Sequence, residues 1–284
     1  MLEWEVLSKR ELAPHVKDLQ IFAPKIAKAA KPGQFVILMV DEKGERIPLT
    51  LTDWDVEAGW IEIVFLEIGV STFKLGMRYP GDRLYYVVGP LGNPSEIKYY
   101  GTVVIVGGGV GIPAIYPITR ALKKAGNYVI SIIGAKTSGL LVYEEKIREV
   151  SDEIYITTDD GSKGLKGFTS DALRKLLEEE RKIDRVWLIG PVLMMKVCSD
   201  VTRPYGIRTI ASLNPLMVCG VGMCGACRVR VGNEIKFTCI HGPEFDAHKV
   251  NWDEVIFRLN MYKKEEEYAL NLFKQKIKIR GKYG

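Results

Sequence analysis

The sequence predicts an antiparallel β-barrel, then a doubly wound α/β domain, then a cysteine-rich C-terminal segment. Three observations predict this. Short apolar runs separated by turn residues fill roughly the first hundred positions; beyond them apolar runs alternate with helical stretches; and four of the five cysteines fall between positions 219 and 239. The boundaries read as 1–98 for the barrel, 99–208 for the α/β domain, 209–250 for the cysteine segment and 251–284 for a C-terminal helix and tail. A chain of 284 residues is long enough for two cores and an appendage.

In the first domain, Phe35–Val40 is an apolar run behind the Pro32-Gly33 turn. Trp60–Phe65 is a second, and Arg83–Val88 a third, closed by Gly89, Pro90, Leu91 and Gly92. Runs of this length and spacing predict a small barrel or sandwich. In the second domain Thr102–Val106 is continuously apolar, as in a strand buried on both faces. A helix is predicted over Pro113–Ala125, a strand over Tyr128–Gly134 and a helix over Tyr143–Val150. A strand over Glu153–Thr158, a helix over Ser170–Glu180 and a strand over Arg185–Gly190 follow. Strand and helix in strict alternation predict a parallel sheet covered on both faces. Residues 252–274 read as one helix, with Val255, Ile256, Leu259 and Tyr262 at helical spacing, and Lys274–Arg280 as a loose basic tail.

Composition excludes several classes of function. Hydrophobic residues make up 47% and charged residues 26%, as in ordinary globular proteins. The net charge of +5 is spread among balancing acids, which argues against nucleic-acid binding. No apolar run reaches membrane-spanning length and the N-terminus has no signal-peptide core, so a cytoplasmic protein without a membrane partner is expected. In a reducing compartment clustered thiols point to metal ligation rather than disulfides.

Cys219, Cys224 and Cys227 are followed by Cys239. This C-x4-C-x2-C…C spacing is that of plant-type ferredoxins and predicts a [2Fe–2S] cluster. Gly220, Gly222 and Gly225 permit the tight, partly left-handed loop that turns the sulfurs inward. A structural zinc site is the competing reading, although zinc ribbons pair two C-x2-C knuckles and only one is present. Cys198 stands apart on a predicted helix and reads as a buried thiol.

Gly107, Gly108, Gly109, Val110, Gly111 and Ile112 form a glycine turn between a buried strand and a helix. Such a turn can bring backbone N–H groups to a pyrophosphate, or it can simply be a tight connection; the G-x-G-x-x-G fingerprint is not matched cleanly. Gly134 ends the next strand, and Gly190-Pro191 with Met194 repeats the glycine turn at a later strand end, where open α/β sheets bind ligands.

A barrel, a glycine turn, Gly190-Pro191-x-x-Met194 and then a cysteine cluster resemble the ferredoxin-NADP reductase superfamily. Within it the chain resembles electron-transfer subunits of dihydroorotate dehydrogenase. It resembles more closely the small (beta) subunits of NADH-dependent reduced ferredoxin:NADP oxidoreductase, also called sulfide dehydrogenase beta subunits. The stretches carrying the resemblance are Glu45–Thr50, Ser212–Cys227 and Gly242–His248. It implies FAD on the barrel. Arg46 would face the pyrophosphate; Pro48, Leu49, Thr50, Leu51 and Thr52 would follow, with Thr50 near the flavin N5. Val64, Phe65 and Leu66 would line the ribityl or adenosine side, and Ser71 and Thr72 would cap the phosphates.

The resemblance further implies NAD(H) in preference to NADP(H), with Lys136 the residue that could meet a 2′-phosphate and Glu144 the one favouring a free ribose hydroxyl. Electrons would pass between NAD(H), FAD and the cluster, to or from a larger flavin/[4Fe–4S] subunit in a heterodimer. That subunit would act on NADP(H) and ferredoxin or on polysulfide; orotate chemistry is the alternative. No side-chain general base is implied, and His15, His241 and His248 read as packing or surface residues. The chain departs from its relatives twice. Many carry a Cys where Ile189 precedes the Gly-Pro turn, and some carry an Asp where Cys219 stands, so an all-thiolate cluster is expected here.

Overall fold

The structure, a computed structural model, describes residues 2–179 and 181–280. The first lobe contains strands β1 (Val6–Ala13), β2 (Val16–Phe22), β3 (Phe35–Met39), β4 (Ile47–Asp55), β5 (Trp60–Leu66) and β6 (Tyr86–Leu91), with short helices α1 (Pro24–Ala29) and α2 (Val70–Gly76). The strands form one antiparallel six-stranded sheet in the order β1-β2-β5-β4-β3-β6. A bridge between Glu5 and Arg83 brings its two ends together, closing the barrel. On β5, Ile61, Ile63 and Phe65 enter the barrel core. Val64 and Leu66 instead pack outward, beside Leu140, Val142 and Tyr143 of the second lobe. This explains why β5 is apolar without alternation from Ile63 to Leu66: both of its faces are covered there.

The second lobe alternates β7 (Thr102–Gly108), α3 (Gly111–Lys124), β8 (Tyr128–Ala135), α4 (Glu144–Glu149), β9 (Glu153–Thr158), β10 (Leu165–Lys166), α5 (Thr169–Glu178), β11 (Arg185–Ile189), α6 (Val192–Thr202) and β12 (Thr209–Ser212). The strand order β10-β9-β8-β7-β11-β12 runs outward in both directions from β7. The direction of winding therefore reverses between β7 and β11, at the switch point of the sheet. Val103 and Ile105 face the side covered by α3, with Ile112 and Ile115. Val104 and Val106 face the opposite side, with Leu173, Leu176 and Met195. Each such side chain contributes about 1.5–3 kcal/mol on burial, against about 1 kcal/mol net for a backbone hydrogen bond, so two-sided burial sets the layer order.

The C-terminal segment adds the hairpin β13 (Arg228–Val231) and β14 (Glu234–Phe237), the single turn α7 (Thr238–His241) and β15 (Glu244–Asp246). β15 pairs antiparallel with β12 and so extends the second lobe's sheet. Helix α8 (Trp252–Leu259) buries Trp252 and Val255 in the same core as α6, and α9 (Lys263–Arg280) runs past α2, with Lys274 Nζ 4.9 Å from the Phe73 ring centre. Among the described residues no helix is long and apolar enough to cross a membrane.

Three expectations are corrected. The third apolar run does not end at Gly89, because β6 continues through Gly89 and Pro90 to Leu91. Proline is tolerated there because β6 is the last strand of the sheet. Residues 252–274 are two helices rather than one: Asn260 ends α8, its side-chain amide donating to the Ile256 carbonyl. The segment from Lys274 is not loose but helical to Arg280. Glu180, the expected end of a helix, and residues 281–284 of the tail lie outside the described residues.

Candidate functional site

Strand β4 changes partner halfway along. Leu51 to Asp55 pair with β5, whereas Ile47 to Thr50 pair with β3. On β5, Val64, Phe65 and Leu66 keep their ladder to β2. No ladder pair joins them to β4 among the described residues. The sheet therefore splits beside Pro48, Leu49 and Thr50, all half-buried, leaving strand edges that can take a planar polar ligand. Arg46, exposed, stands at the rim with its guanidinium 5.7 Å from the Tyr86 ring centre. The structure thus brings Arg46, Pro48, Leu49 and Thr50 to one opening.

Other residues assigned to the flavin are placed differently. Leu51 lies in the barrel core, and the buried Thr52 hydroxyl donates to the Glu62 carbonyl at 3.1 Å. The side chains of Val64, Phe65 and Leu66 are committed to packing, so only their backbone faces the split. Ser71 and Thr72 lie on the first turn of α2, but their hydroxyls already have partners. Ser71 donates to Glu45 at 2.9 Å, and Thr72 Oγ1 accepts the Ile68 and Gly69 N–H groups at 3.0 Å each.

At the switch point the two glycine turns pack on each other. A Cβ on Gly111 would meet Gly190 Cα at 2.8 Å, and one on Gly190 would meet Gly108 N and O at 3.0 Å. Gly107 faces Ile112 and Ile115, Gly108 faces Pro191 and Met194, and Gly134 faces Thr157 and Thr169. These glycines permit close approach of neighbouring chain segments. Gly109 differs: its φ is +54°, nothing lies within 4 Å of where a Cβ would be, and Val110 beside it is exposed. Among these six glycines Gly109 alone faces open space; Ile112 is buried in the core. Glu144 is already paired with Lys163 at 2.6 Å and Arg148 at 3.1 Å, so it is not a free carboxylate awaiting a ribose.

The four cysteines, three from the loop before β13 and Cys239 from α7, converge as two close pairs. Cys227 Sγ and Cys239 Sγ are 3.3 Å apart, both buried, while the Cys224 N–H points at Cys219 Sγ at 3.4 Å. Further N–H groups are aimed at sulfur: Gly222 at Cys239 (3.2 Å), Ala226 at Cys224 and Cys239 at Cys227 (both 3.5 Å). Such donors stabilise anionic sulfur and tune a cluster. Although burial opposes it, the N–H groups of Cys224, Val221 and Met223 bring the Cys219 thiol down to about 6. Burial, with the neighbouring Cys227 thiol, pushes Cys239 up to about 12. Among the described residues no group of three or more His, Cys, Asp or Glu side chains is set to hold a single metal ion. The buried hydroxyl of Thr238, next to Cys239, has no partner among the described atoms. Paired thiols, N–H donors and a spare hydroxyl donor fit a multi-iron cluster.

The loop sits directly on the barrel. A Cβ on Gly220 would meet Leu91 at 2.8 Å, and Phe35, Ile37, Leu91, Cys227 and Cys239 share one apolar cluster. Cys198 is fully buried in α6, away from this loop, and burial pushes its thiol up to about 12. His248 is structural, with Nε2 2.9 Å from Thr202 Oγ1. The sequence reading passed over Glu62, Tyr143 and Gln34. Its best clue was a glutamate inside the apolar run Trp60–Phe65: Glu62 is buried between the lobes and accepts the Tyr143 hydroxyl.

Residues 214–251 match the iron–sulfur cluster binding domain of dihydroorotate dehydrogenase B. The chain is 47% identical over 269 residues to the "dihydroorotate dehydrogenase B (NAD(+)), electron transfer subunit homolog" of Thermotoga maritima, covering 95% of each chain. It is 34% identical over 254 residues to the electron transfer subunit of dihydroorotate dehydrogenase B from Geobacillus thermodenitrificans, covering 86% of this chain and 96% of that one. The chain belongs to the dihydroorotate dehydrogenase B electron-transfer subunit family. A chain of a solved NADH-dependent reduced ferredoxin-NADP oxidoreductase, studied for flavin-based electron bifurcation, superposes with a TM-score of 0.91 at 46% identity, covering 96% of this chain and 98% of that one. Phthalate dioxygenase reductase shares the fold, with a TM-score of 0.60 at 16% identity. The member described here is therefore an electron-transfer subunit of an oxidoreductase in the ferredoxin-NADP reductase superfamily, with an iron–sulfur binding domain.

Proposed function

We propose that this subunit holds FAD in the split between β4 and β5, NAD(H) at the β7/β11 switch point and a [2Fe–2S] cluster on Cys219, Cys224, Cys227 and Cys239. It would pass electrons between them and a larger partner subunit. When bound, these groups supply the change from two-electron to one-electron chemistry that no side chain here can perform. The chain's own contribution is placement. Arg46 offers a charge to the flavin pyrophosphate at the rim. The tip at Gly109 leaves backbone accessible, while Gly108, Gly111 and Gly190 let the two turns pack closely together. Cys219 with Cys224 and Cys227 with Cys239 would hold the cluster, which would supply one-electron chemistry there.

The observation that carries this reading is the seating of the cysteine loop on the barrel, Gly220 against Ile37 of β3 and Leu91 of β6, β3 being the strand that pairs with residues 47–50 of β4 at the split. A structural metal staple has no need of that position. NAD(H) is proposed in preference to NADP(H), as the sequence resemblance implies. The names of the relatives, which carry NAD(+), agree.

The partner is proposed to be a flavin/[4Fe–4S] subunit acting on NADP(H) and ferredoxin, because of the 46% identity to a chain of the ferredoxin-NADP oxidoreductase. The curated relatives favour a second reading, in which the partner is a dihydroorotate dehydrogenase. Anaerobic mixing with NADH tests the first statement: flavin absorbance should bleach and a [2Fe–2S] paramagnetic signal should appear. Cys227→Ser should abolish the signal and spare the bleaching. Orotate-dependent turnover of the isolated complex would select the second partner.

A further inference from the structure

Between the barrel and the cysteine loop lies a two-storey bridge of hydrogen bonds. Its lower storey is the turn before β3. The Pro32 carbonyl accepts the Ser95 N–H at 2.9 Å, and Gln34 Nε2 donates to the Gly92 carbonyl at 2.8 Å. The upper storey joins the same loop to the Cys239 turn. The Asn93 N–H donates to the Gly242 carbonyl at 2.7 Å, Asn93 Nδ2 donates to the Ile240 carbonyl at 3.1 Å, and Ser95 Oγ donates to Glu244 at 2.5 Å.

Gln34 is the piece on which the lower storey turns. It is buried, and its side chain is used at both ends: Oε1 accepts the Lys31 N–H at 3.0 Å while Nε2 holds Gly92. Its own carbonyl accepts the Leu51 N–H at 3.1 Å, one residue past Thr50 and at the point where β4 changes partner. Hydrogen bonds thus run from the end of the β4 split through Gln34, Gly92 and Asn93 to Gly242, whose N–H returns to Thr238 beside Cys239 at 3.1 Å. A space-filling role would be met by any side chain of this volume, whereas the bridge needs a donor facing Gly92 and an acceptor facing Lys31.

We propose that Gln34 is a positioning residue for electron transfer: it fixes the spacing between the flavin surface of the barrel and the Cys239 turn by bridging Lys31 and Gly92. This rests on the reading of the flavin and cluster sites given above. Gln34→Glu keeps the shape but turns a carboxylate oxygen against the Gly92 carbonyl; Gln34→Leu keeps the volume and removes both bonds.

The test uses the cofactor-loaded protein and three readouts: rapid-mixing absorbance after NADH, the paramagnetic line shape, and amide exchange across 92–95 and 238–243. In both variants NADH should bleach the flavin at the wild-type rate. Exchange of the Asn93 and Gly242 amides should accelerate about fivefold, the equivalent of one lost hydrogen bond. The phase in which one electron leaves the reduced flavin and enters the oxidised cluster should slow, more in Gln34→Glu than in Gln34→Leu, and the paramagnetic signal should broaden. Wild-type electron transfer in Gln34→Glu overturns the proposal, whether or not exchange accelerates. If the Gln34 variants fail to fold, Asn93→Asp, an exposed change on the upper storey, is expected to slow the same phase, and a wild-type phase there overturns the proposal. A wild-type protein that shows no bleaching or no signal would instead remove the underlying reading of the sites.

Discussion

Tyr143 of the second lobe donates its hydroxyl hydrogen bond to the buried carboxylate of Glu62 on β5, tying the lobes together through a polar pair. The same carboxylate lies 3.4 Å from Lys146 Nζ and 3.3 Å from Arg10 Nη2. Asp18, buried on the neighbouring strand, is bonded to Arg10, and burial next to Glu62 raises its carboxyl above the usual range. Burial, reinforced by the same glutamate, raises the Tyr143 hydroxyl, which therefore stays a donor at any working pH. Tyr143→Phe would leave Glu62 Oε1 with the longer Lys146 contact alone and cost about 1–3 kcal/mol. Urea unfolding of the cofactor-loaded protein should show the lowered midpoint; an unchanged midpoint would mean that Lys146 or water compensates fully.

The glycines of the switch point divide into two kinds. Gly111→Ala would drive a Cβ into the backbone of Gly190 and cost about 1–3 kcal/mol in stability, with NADH affinity falling as the turns separate. Gly109→Ala meets open space and carries only the left-handed backbone cost, about 1–2 kcal/mol. Thermal midpoints should fall further for Gly111→Ala, whereas NADH titration of flavin absorbance should show weakened binding in both variants, because a Cβ on Gly109 projects into the open space above the tip.

Glu153 is held by Arg181 through two contacts, at 2.5 and 2.9 Å, and the side-chain hydrogen bonds bring its carboxyl down to about 2. A carboxyl lowered in the folded state contributes stability above its unfolded value, and that contribution is lost as pH falls through the folded one. The window therefore runs from about 4.5 down to about 2. Because the pair is partly exposed, its worth is about 1 kcal/mol or less. Glu153→Gln should flatten the acid side of the stability–pH curve, and an equally steep curve would assign that slope to other carboxylates.

Cys198 is fully buried with its thiol pushed up to about 12, so it should resist alkylation in the folded protein. Cys198→Ala should leave the iron content unchanged. A loss of iron would mean that α6 supports the cysteine loop more directly than its position in the core indicates.

Much of the architecture was legible because periodicity and spacing are local. The buried runs at Thr102–Val106 and Arg185–Ile189 and the cysteine spacing carry their meaning within a few residues. What was not legible depends on pairings across the chain. The partner change of β4 at Thr50 leaves no mark in its own composition, and it alone explains why residues 64–66 present backbone rather than side chains to the split. The hydroxyls of Ser71 and Thr72 look free in sequence, but their acceptors and donors, Glu45 and the turn at Ile68 and Gly69, occupy them. Gln34 is an unremarkable polar residue until the loop at Gly92, far along the chain, folds over it.

The partner change on β4 also bears on handling the protein. The edges of residues 47–50 and 64–66 carry N–H and carbonyl groups without ladder partners across the split. A flavin seated there would shield them. Stripped of it, each molecule would offer another copy two short, unblunted strand margins, a template for intermolecular pairing. Loss of colour during purification would then come before turbidity, and supplying flavin early in expression would do more for yield than raising the salt.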